Sequence, residues 1–473
     1  MQHKGDAPGT GAGTRTRAQH SSTGNGAAGP ATPAKSASGS TSATRTSAAR
    51  RSGTAAAPAA KTTNGSTTRT GRGRIAATKP ARAAVREPHK ELLRYRDEFP
   101  VLARKTYLNS CSLGALSDRA MAGMARFQEL WNEYGAQAWY RLWMSEIAAV
   151  REKLARIIGA HPHEVAIAPN VSIALSEITS GMDLGARNKV VVADMDFPTL
   201  AYQWLAKRGL GIEVDFVASE DRIRLPAERF APHLDARTGL VATSRVFFMS
   251  GYIQDVGRLA RIAHERGAYL LVDDYQATGQ IPIDVHALDI DFLVTGTLKW
   301  LMGGPGLAFI YVREDLIPKL HPTVAGWFSA RDQFAMRTTD FEYKEGAQRF
   351  EAGTPAVAPI YAASGGLDIV LEIGVERIRE RSMFLSDDLI RRVQAKGWPI
   401  QSPLDGRERS SIVMLRLERP DEIVAALSER NIIVDHRPGL VRVSPYFYNT
   451  VEENQIIVDA IDDILRSREA KGA

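Results

Sequence analysis

The chain holds a single cysteine, Cys111, in 473 residues. One thiol excludes a disulfide framework and any multi-cysteine zinc or iron–sulfur centre, and it suits a reducing compartment. Long apolar runs are equally absent: no stretch approaches the roughly 18 consecutive apolar residues of a membrane helix, and the N-terminus has no apolar core of a secretory signal. The expectation is a soluble, cytoplasmic protein with no membrane partner. Residues 1–85 lack Phe, Trp, Tyr and Leu altogether and are built from Ala, Gly, Ser, Thr, Pro and Arg. Such a segment cannot bury enough apolar surface to offset the entropy of ordering, so a disordered tail is expected.

Acids are scarce in the same stretch. It carries 13 Lys and Arg against the single Asp6, whereas the rest of the chain carries 47 basic residues against 53 acidic ones. The net charge of +6 therefore splits into +12 on the tail and −6 on the body. A basic chain invites a nucleic-acid partner, but here only the tail is basic. A transit peptide needs a hydrophobic face, and Met1 is the only large apolar side chain in the first 74 residues. A solvated extension, a partner-binding arm, and weak salt-sensitive nucleic-acid contact through Arg50, Arg51, Arg72 and Arg74 stay open.

From about Glu87 the composition turns globular. A helical stretch through Leu130, Trp139 and Leu154 gives way to the short apolar runs 165–168, 190–193, 212–217, 240–243, 269–272, 292–295 and 307–312. Continuous apolar strands alternating with helices such as 255–266 imply an α/β fold with a mostly parallel sheet covered on both faces. Ligands of such sheets sit beyond the carboxyl ends of the strands. After residue 356 the rhythm changes to a long helix over 360–396, strands near 412–415, 432–434 and 441–443, and helices over 420–430 and 451–466. The organisation expected is a tail over 1–85, a large domain over 86–355 and a smaller C-terminal α+β domain over 356–473.

Two strand ends stand out. Tyr269-Leu-Leu-Val-Asp-Asp-Tyr-Gln276 closes in acids, and Phe292-Leu-Val-Thr-Gly-Thr-Leu-Lys299 closes in a lysine 26 residues after Asp273. Taken alone, a carboxylate and an amine at one sheet edge are a buried ion pair. Taken with the remaining segments they match what pyridoxal phosphate requires, a lysine to form a Schiff base and an acid to keep a pyridine nitrogen protonated.

On these residues the chain resembles the class V aminotransferase superfamily of fold-type I pyridoxal-phosphate enzymes, with cysteine desulfurases, kynureninases and isopenicillin N epimerases among its members. The resemblance covers about residues 105–465. It implies Lys299 as the catalytic lysine, Asp273 and Gln276 as the Asp-x-x-Gln pair at the cofactor ring, and Asp274 as a capping or solvent-facing bystander. It further implies that Val171 and Ser172, at a helix opening that favours anions, cradle the phosphate. By itself Ser172 reads as a helix cap. Phe197 matches the aromatic on the pyridine face, and Thr297 is left as the local phosphate donor because Leu298 stands where a His or Tyr often precedes the lysine. Thr354, in Arg349-Phe-Glu-Ala-Gly-Thr-Pro355, matches a segment reaching the phosphate bound by another subunit, which implies a homodimer. Arg442, between valines, matches the arginine that grips a substrate carboxylate. Asn109, with Tyr107, Trp139, Tyr140 and Tyr446–Tyr448, could line the substrate pocket or pack at a dimer interface. Arg245 and Phe248 depart from the family pattern near the substrate, which points away from the substrates of the best-known members.

A desulfurase needs a nucleophilic cysteine on a loop beyond the lysine, and residues 299–473 contain none. The reaction expected is that of an aminotransferase acting on a small amino acid. A carbon–sulfur or carbon–carbon lyase or an epimerase is the alternative, and a non-enzymatic cofactor-binding regulator a remote one. No metal is expected: His161-Pro-His163 reads as a surface loop. Gly303-Gly-Pro-Gly306 lacks the Lys-Ser/Thr of a P-loop and reads as a turn.

Overall fold

Buried runs of Val, Ile, Leu and Phe become strands because nothing in them needs water and β-branched side chains pack well on a pleated surface. The structure, a computed structural model, describes residues 87–472; the tail expectations lie outside the described residues. In chain order the elements that matter are β1 (Thr106–Tyr107), α1 (Asp118–Tyr134), α2 (Met144–Ile158), β2 (Val165–Ala168), α3 (Val171–Ser180), β3 (Lys189–Ala193), α4 (Pro198–Leu205), β4 (Glu213–Val217) and β5 (Thr238–Ser244). They continue with α5 (Val256–His264), β6 (Tyr269–Asp273), β7 (Phe292–Gly296), β8 (Ala308–Val312), α6 (Val357–Ile373) and α7 (Val375–Ala395). The C-terminal part adds β9 (Val413–Arg416), α8 (Pro420–Glu429), β10 (Ile432–Ile433), β11 (Asp435–Arg437), β12 (Leu440–Val443) and α9 (Val451–Gly472).

The main sheet runs in the order β2-β8-β7-β6-β5-β3-β4. The β7-β6-β5-β3-β4 pairings are parallel, and β8 alone runs opposite to both its neighbours. Strands β2, β3, β5, β6 and β7 consequently end at the same edge. Every residue of β3, β5, β7 and β8 is buried, the mark of a sheet covered on both faces. Helix α5 shows how a cover forms: Asp255 caps it by accepting the Arg258 N–H, and Val256, Leu259, Ala260, Ile262 and Ala263 turn one face inward.

Two expected helices are broken. The stretch expected over 360–396 is two helices meeting at 84°, because Gly374 adopts φ 86°, a conformation that ends a right-handed helix at little cost only for glycine. The earlier helical stretch stops at Gly135, φ 50°, and resumes through a π turn at Trp139–Trp143. No single helix among the described residues is long and apolar enough to cross a membrane. Helix α6 packs instead against α1 and α2.

The C-terminal part carries the antiparallel sheet β11-β12-β9. Strand β1 pairs with β10, and Asn109 bridges to Ser444. These pairings draw the segment after β1 away from its sequence neighbours, and the Gly114 N–H then donates to the Leu298 carbonyl (2.8 Å). A Cβ at Gly114 would stand 1.9 Å from the Lys299 carbonyl oxygen, so only glycine allows this approach.

Candidate active site

The carboxyl ends of β2, β3, β5, β6 and β7 and the β11–β12 hairpin enclose a cavity of about 330 Å³. Its wall includes Asn170, Val171 and Ser172 after β2, Phe197 and Thr199 after β3, and Ser244, Val246 and Phe248 at the end of β5. Asp273, Tyr275 and Gln276 follow from β6, Leu298 and Lys299 from β7, Cys111 and Ser112 from the N-terminal segment, and Arg437 and Arg442 from the hairpin.

Lys299 is only partly exposed, and its Nζ lies 4.1 Å from the centroid of the Tyr275 ring and 5.8 Å from that of Phe197. Burial pushes the amine down to about 8; Asp273 and Cys111 pull it up, while Arg442 and Arg437 add to the fall. Asp273 is buried at the end of β6 and accepts the Tyr275 N–H (3.0 Å). Burial raises its carboxyl to about 6, against the opposing pull of that hydrogen bond and of Lys299. A second acid, Asp196, ties two strand ends together by accepting the N–H groups of Ser244 (2.7 Å) and Ala193 (3.0 Å). Burial raises it to about 7.

Gln276 uses both ends of its amide. Its Nε2 donates to the Cys111 carbonyl (2.9 Å), and its Oε1 accepts from the Trp300 indole (3.1 Å), which fastens the Cys111 segment to the lysine turn. Asn170, not Ser172, caps α3, its Oδ1 accepting the Ile173 N–H (3.0 Å). Val171 and Ser172 are thus first-turn residues at the cavity wall, where backbone N–H groups lack intrahelical partners.

Arg442 is fully buried in β12. It donates to the Ser112 hydroxyl (2.6 Å) and the Phe248 carbonyl (3.3 Å) and pairs with Asp435, while its Nε has no partner. Arg437 shares Asp435 (2.8 Å) and lies 5.8 Å from the Phe248 ring centroid. Two guanidiniums on one carboxylate leave a net positive charge at the cavity. Phe248 meets Phe197 edge to face at 5.2 Å.

Some expected residues lie elsewhere. The Thr297 hydroxyl faces the carbonyls of Gly304 (2.8 Å) and Leu307 (3.2 Å) and is not in the wall. Asn109 is also outside it, and its Oδ1 is buried without a partner. Thr354 is exposed and lines a separate cavity with Pro169, Ile173 and Glu177. Asp274, expected to cap or face solvent, is instead fully buried and grips Arg245 through both oxygens. Arg245, also donating to the carbonyls of Ile281 and Pro282, is spent on structure rather than on the cavity. Asn170, Thr199, Val246, Ser112 and Arg437 carry no motif that singles them out in the sequence. Tyr275 sits inside the Asp-Asp-Tyr-Gln motif, which is the signal that could have found it.

Lys299 and the buried Asp273 share one cavity at the carboxyl edge of a mostly parallel sheet, an α/β arrangement that comparison with known proteins places in a family. Residues 124–457 match the aminotransferase class-V family. The uncharacterised aminotransferase YcbU of Bacillus subtilis (strain 168) is 35% identical over 367 residues, covering 78% of this chain and 96% of that protein. A kynureninase of Shouchella clausii (strain KSM-K16) is 30% identical over 399 residues, covering 80% and 93%. Among solved structures, the apo cysteine desulfurase of Thermococcus onnurineus NA1 shares the fold at a TM-score of 0.72 and 22% identity, covering 82% of this chain and all of that one. The chain belongs to the class V aminotransferase family, whose cofactor is pyridoxal phosphate.

Proposed function

We propose that this chain is a pyridoxal-phosphate enzyme acting at the α-carbon of an amino-acid substrate, and that it transfers the amino group to an α-keto acid. The observation that carries the reading is a lysine of depressed basicity sharing one cavity with a buried carboxylate, a helix N-terminus and a paired arginine. This donor set fits the cofactor: an amine for its aldehyde, an acid for its ring nitrogen, and unpaired N–H groups for its phosphate. When bound, pyridoxal phosphate supplies an electrophilic carbon for an amine and a ring that takes up the electron pair left at a substrate Cα.

The chain's own residues then divide the work. Lys299 Nζ would hold the cofactor and, when released, move the proton at the substrate Cα; with its amine near 8, a larger share is base at neutral pH than for an ordinary lysine. Asp273 would hold the proton at the ring nitrogen through a charge-assisted hydrogen bond. Val171 and Ser172 would bind the phosphate at the positive end of α3, and Phe197 would cover one face of the ring. Arg442 would grip the substrate carboxylate with Ser112 orienting its guanidinium. Gln276 would act by holding the Cys111 segment on the lysine turn. We assign residues 86–355 to the cofactor-binding domain and 356–473 to the domain carrying the carboxylate grip. Thr354 is assigned to the phosphate of a second copy in a homodimer.

A lyase is the second reading, favoured by the aromatic wall of Phe197, Phe248 and Tyr275 together with the kynureninase relatives. A panel of amino acids offered with and without an α-keto acid separates the two. Product that depends on the keto acid supports transamination. Ammonia, pyruvate or sulfide from an elimination, or alanine from cleavage beyond the β-carbon, released without an acceptor refutes it in favour of a lyase.

A further inference from the structure

The sheet's opposite edge holds a cluster that the cofactor chemistry does not use. Glu164 begins the approach to β2, His286 lies in the connection leading into β7, and His161 precedes Glu164 by three residues. One ligand atom from each of the three lies within 4.8 Å of the others. His161-Pro-His163 has no cysteine nearby and only one adjacent acid in sequence; the fold supplies a third ligand from 122 residues further along the chain.

Glu164 is held before any ligand arrives. It is 1% exposed, its Oε2 accepts the His161 backbone N–H (2.8 Å), and its Oε1 accepts the Glu314 N–H (3.1 Å). The same Oε2 stands 2.8 Å from His286 Nε2. The His161 and His286 rings are 5.2 Å apart, and His163 stacks behind His161 at 5.6 Å and 7° with its Nε2 3.3 Å from Glu314. Beside His286, with ring centroids 6.2 Å apart, Tyr311 keeps a buried hydroxyl with no hydrogen-bond partner.

We propose that His161, Glu164 and His286 form a divalent metal site, with zinc the ion of choice, separate from the Lys299 cavity. Two imidazoles and one carboxylate are zinc ligands, whereas magnesium and calcium require oxygen shells. Ligands about 2.0 Å from a tetrahedral zinc stand roughly 3.3 Å from one another. Glu164 and His286 therefore separate slightly, and His161, whose side chain is exposed, swings inward; water takes the fourth position. The ion would tie the turn after α2 to the connection before β7, two segments already joined by the Val285 N–H donating to the Ile158 carbonyl (3.0 Å). It would act as a clamp on the scaffold, not on the reacting atoms.

The test is calorimetric titration of zinc chloride into the full-length, cofactor-loaded protein, with circular dichroism to confirm folding. Saturable binding is expected, weakened about tenfold or more by His161→Ala and by His286→Ala. His163→Ala and the remote His321→Ala should leave it unchanged, and magnesium should not compete. Thermal midpoint should rise with zinc in the parent protein and stay fixed in the two ligand variants. Absence of saturable binding overturns the proposal. So does binding that survives both ligand variants, which would trace it to other histidines such as His3 and His20.

Discussion

Replacing Lys299 with methionine should stabilise the cofactor-free protein, and the gain should vanish with rising pH. The folded amine sits near 8 instead of 10.5, chiefly because burial penalises its charge. A tenfold change in proton affinity is worth about 1.4 kcal/mol, and since the side chain is partly exposed at the cavity mouth, water relieves part of the cost, leaving about 1–3 kcal/mol. The folded pKa of this base is depressed, so the penalty is complete below about 8, where folded and unfolded chains are both charged. It declines as pH rises from about 8 towards 10.5, where only the unfolded chain still holds the proton, and is gone above that. Urea unfolding of both proteins at pH 7, 8, 9 and 10 measures the difference. A methionine variant that is more stable at pH 7, with a margin that shrinks by pH 10, is the expected result. A margin independent of pH would attribute the effect to packing alone and exclude a charge penalty at Lys299.

Three further outcomes follow from the geometry. Arg245→Ala leaves the Asp274 carboxylate buried without its partner and should cost about 3–5 kcal/mol in urea unfolding; a loss below about 1 kcal/mol would contradict the structural role. Arg442→Lys keeps the charge but loses the fork, so KM for the amino-acid substrate should rise about 10- to 100-fold with kcat changed far less, in steady-state kinetics; an unchanged KM removes Arg442 from substrate binding. Gly114→Ala drives a methyl into the Lys299 carbonyl, and the variant should lose about 1–3 kcal/mol and retain less cofactor on dialysis, while retention equal to the parent's would contradict the tight approach.

Most strands of the main sheet were legible because β2, β3, β5, β7 and β8 are short, wholly buried runs, and a sheet covered on both faces satisfies such runs. Asp273 and Lys299 were legible for a related reason, since parallel strands deliver their carboxyl ends to one edge. Helix continuity was not: the break between α6 and α7 turns on Gly374 adopting a positive φ, which an apolar pattern running through it does not reveal. Asp274 and Arg245 sit 29 residues apart, and only the β5–β6 pairing shows that they meet. Asn170 was hidden by its position two residues before the serine that looked like the cap. Arg437 was hidden because its partner Asp435 and its neighbour Phe248 come from different segments. The third member of the histidine cluster, His286, was hidden by the length of chain between it and Glu164.

The proposed chemistry depends on Lys299 holding pyridoxal phosphate. Borohydride reduction of the cofactor-loaded protein, followed by proteolysis and mass spectrometry, tests it most directly. A reduced cofactor adduct on the peptide bearing Lys299, lost in Lys299→Ala, is the expected result. A protein that takes up no reducible cofactor, or an adduct on a different lysine, would contradict it.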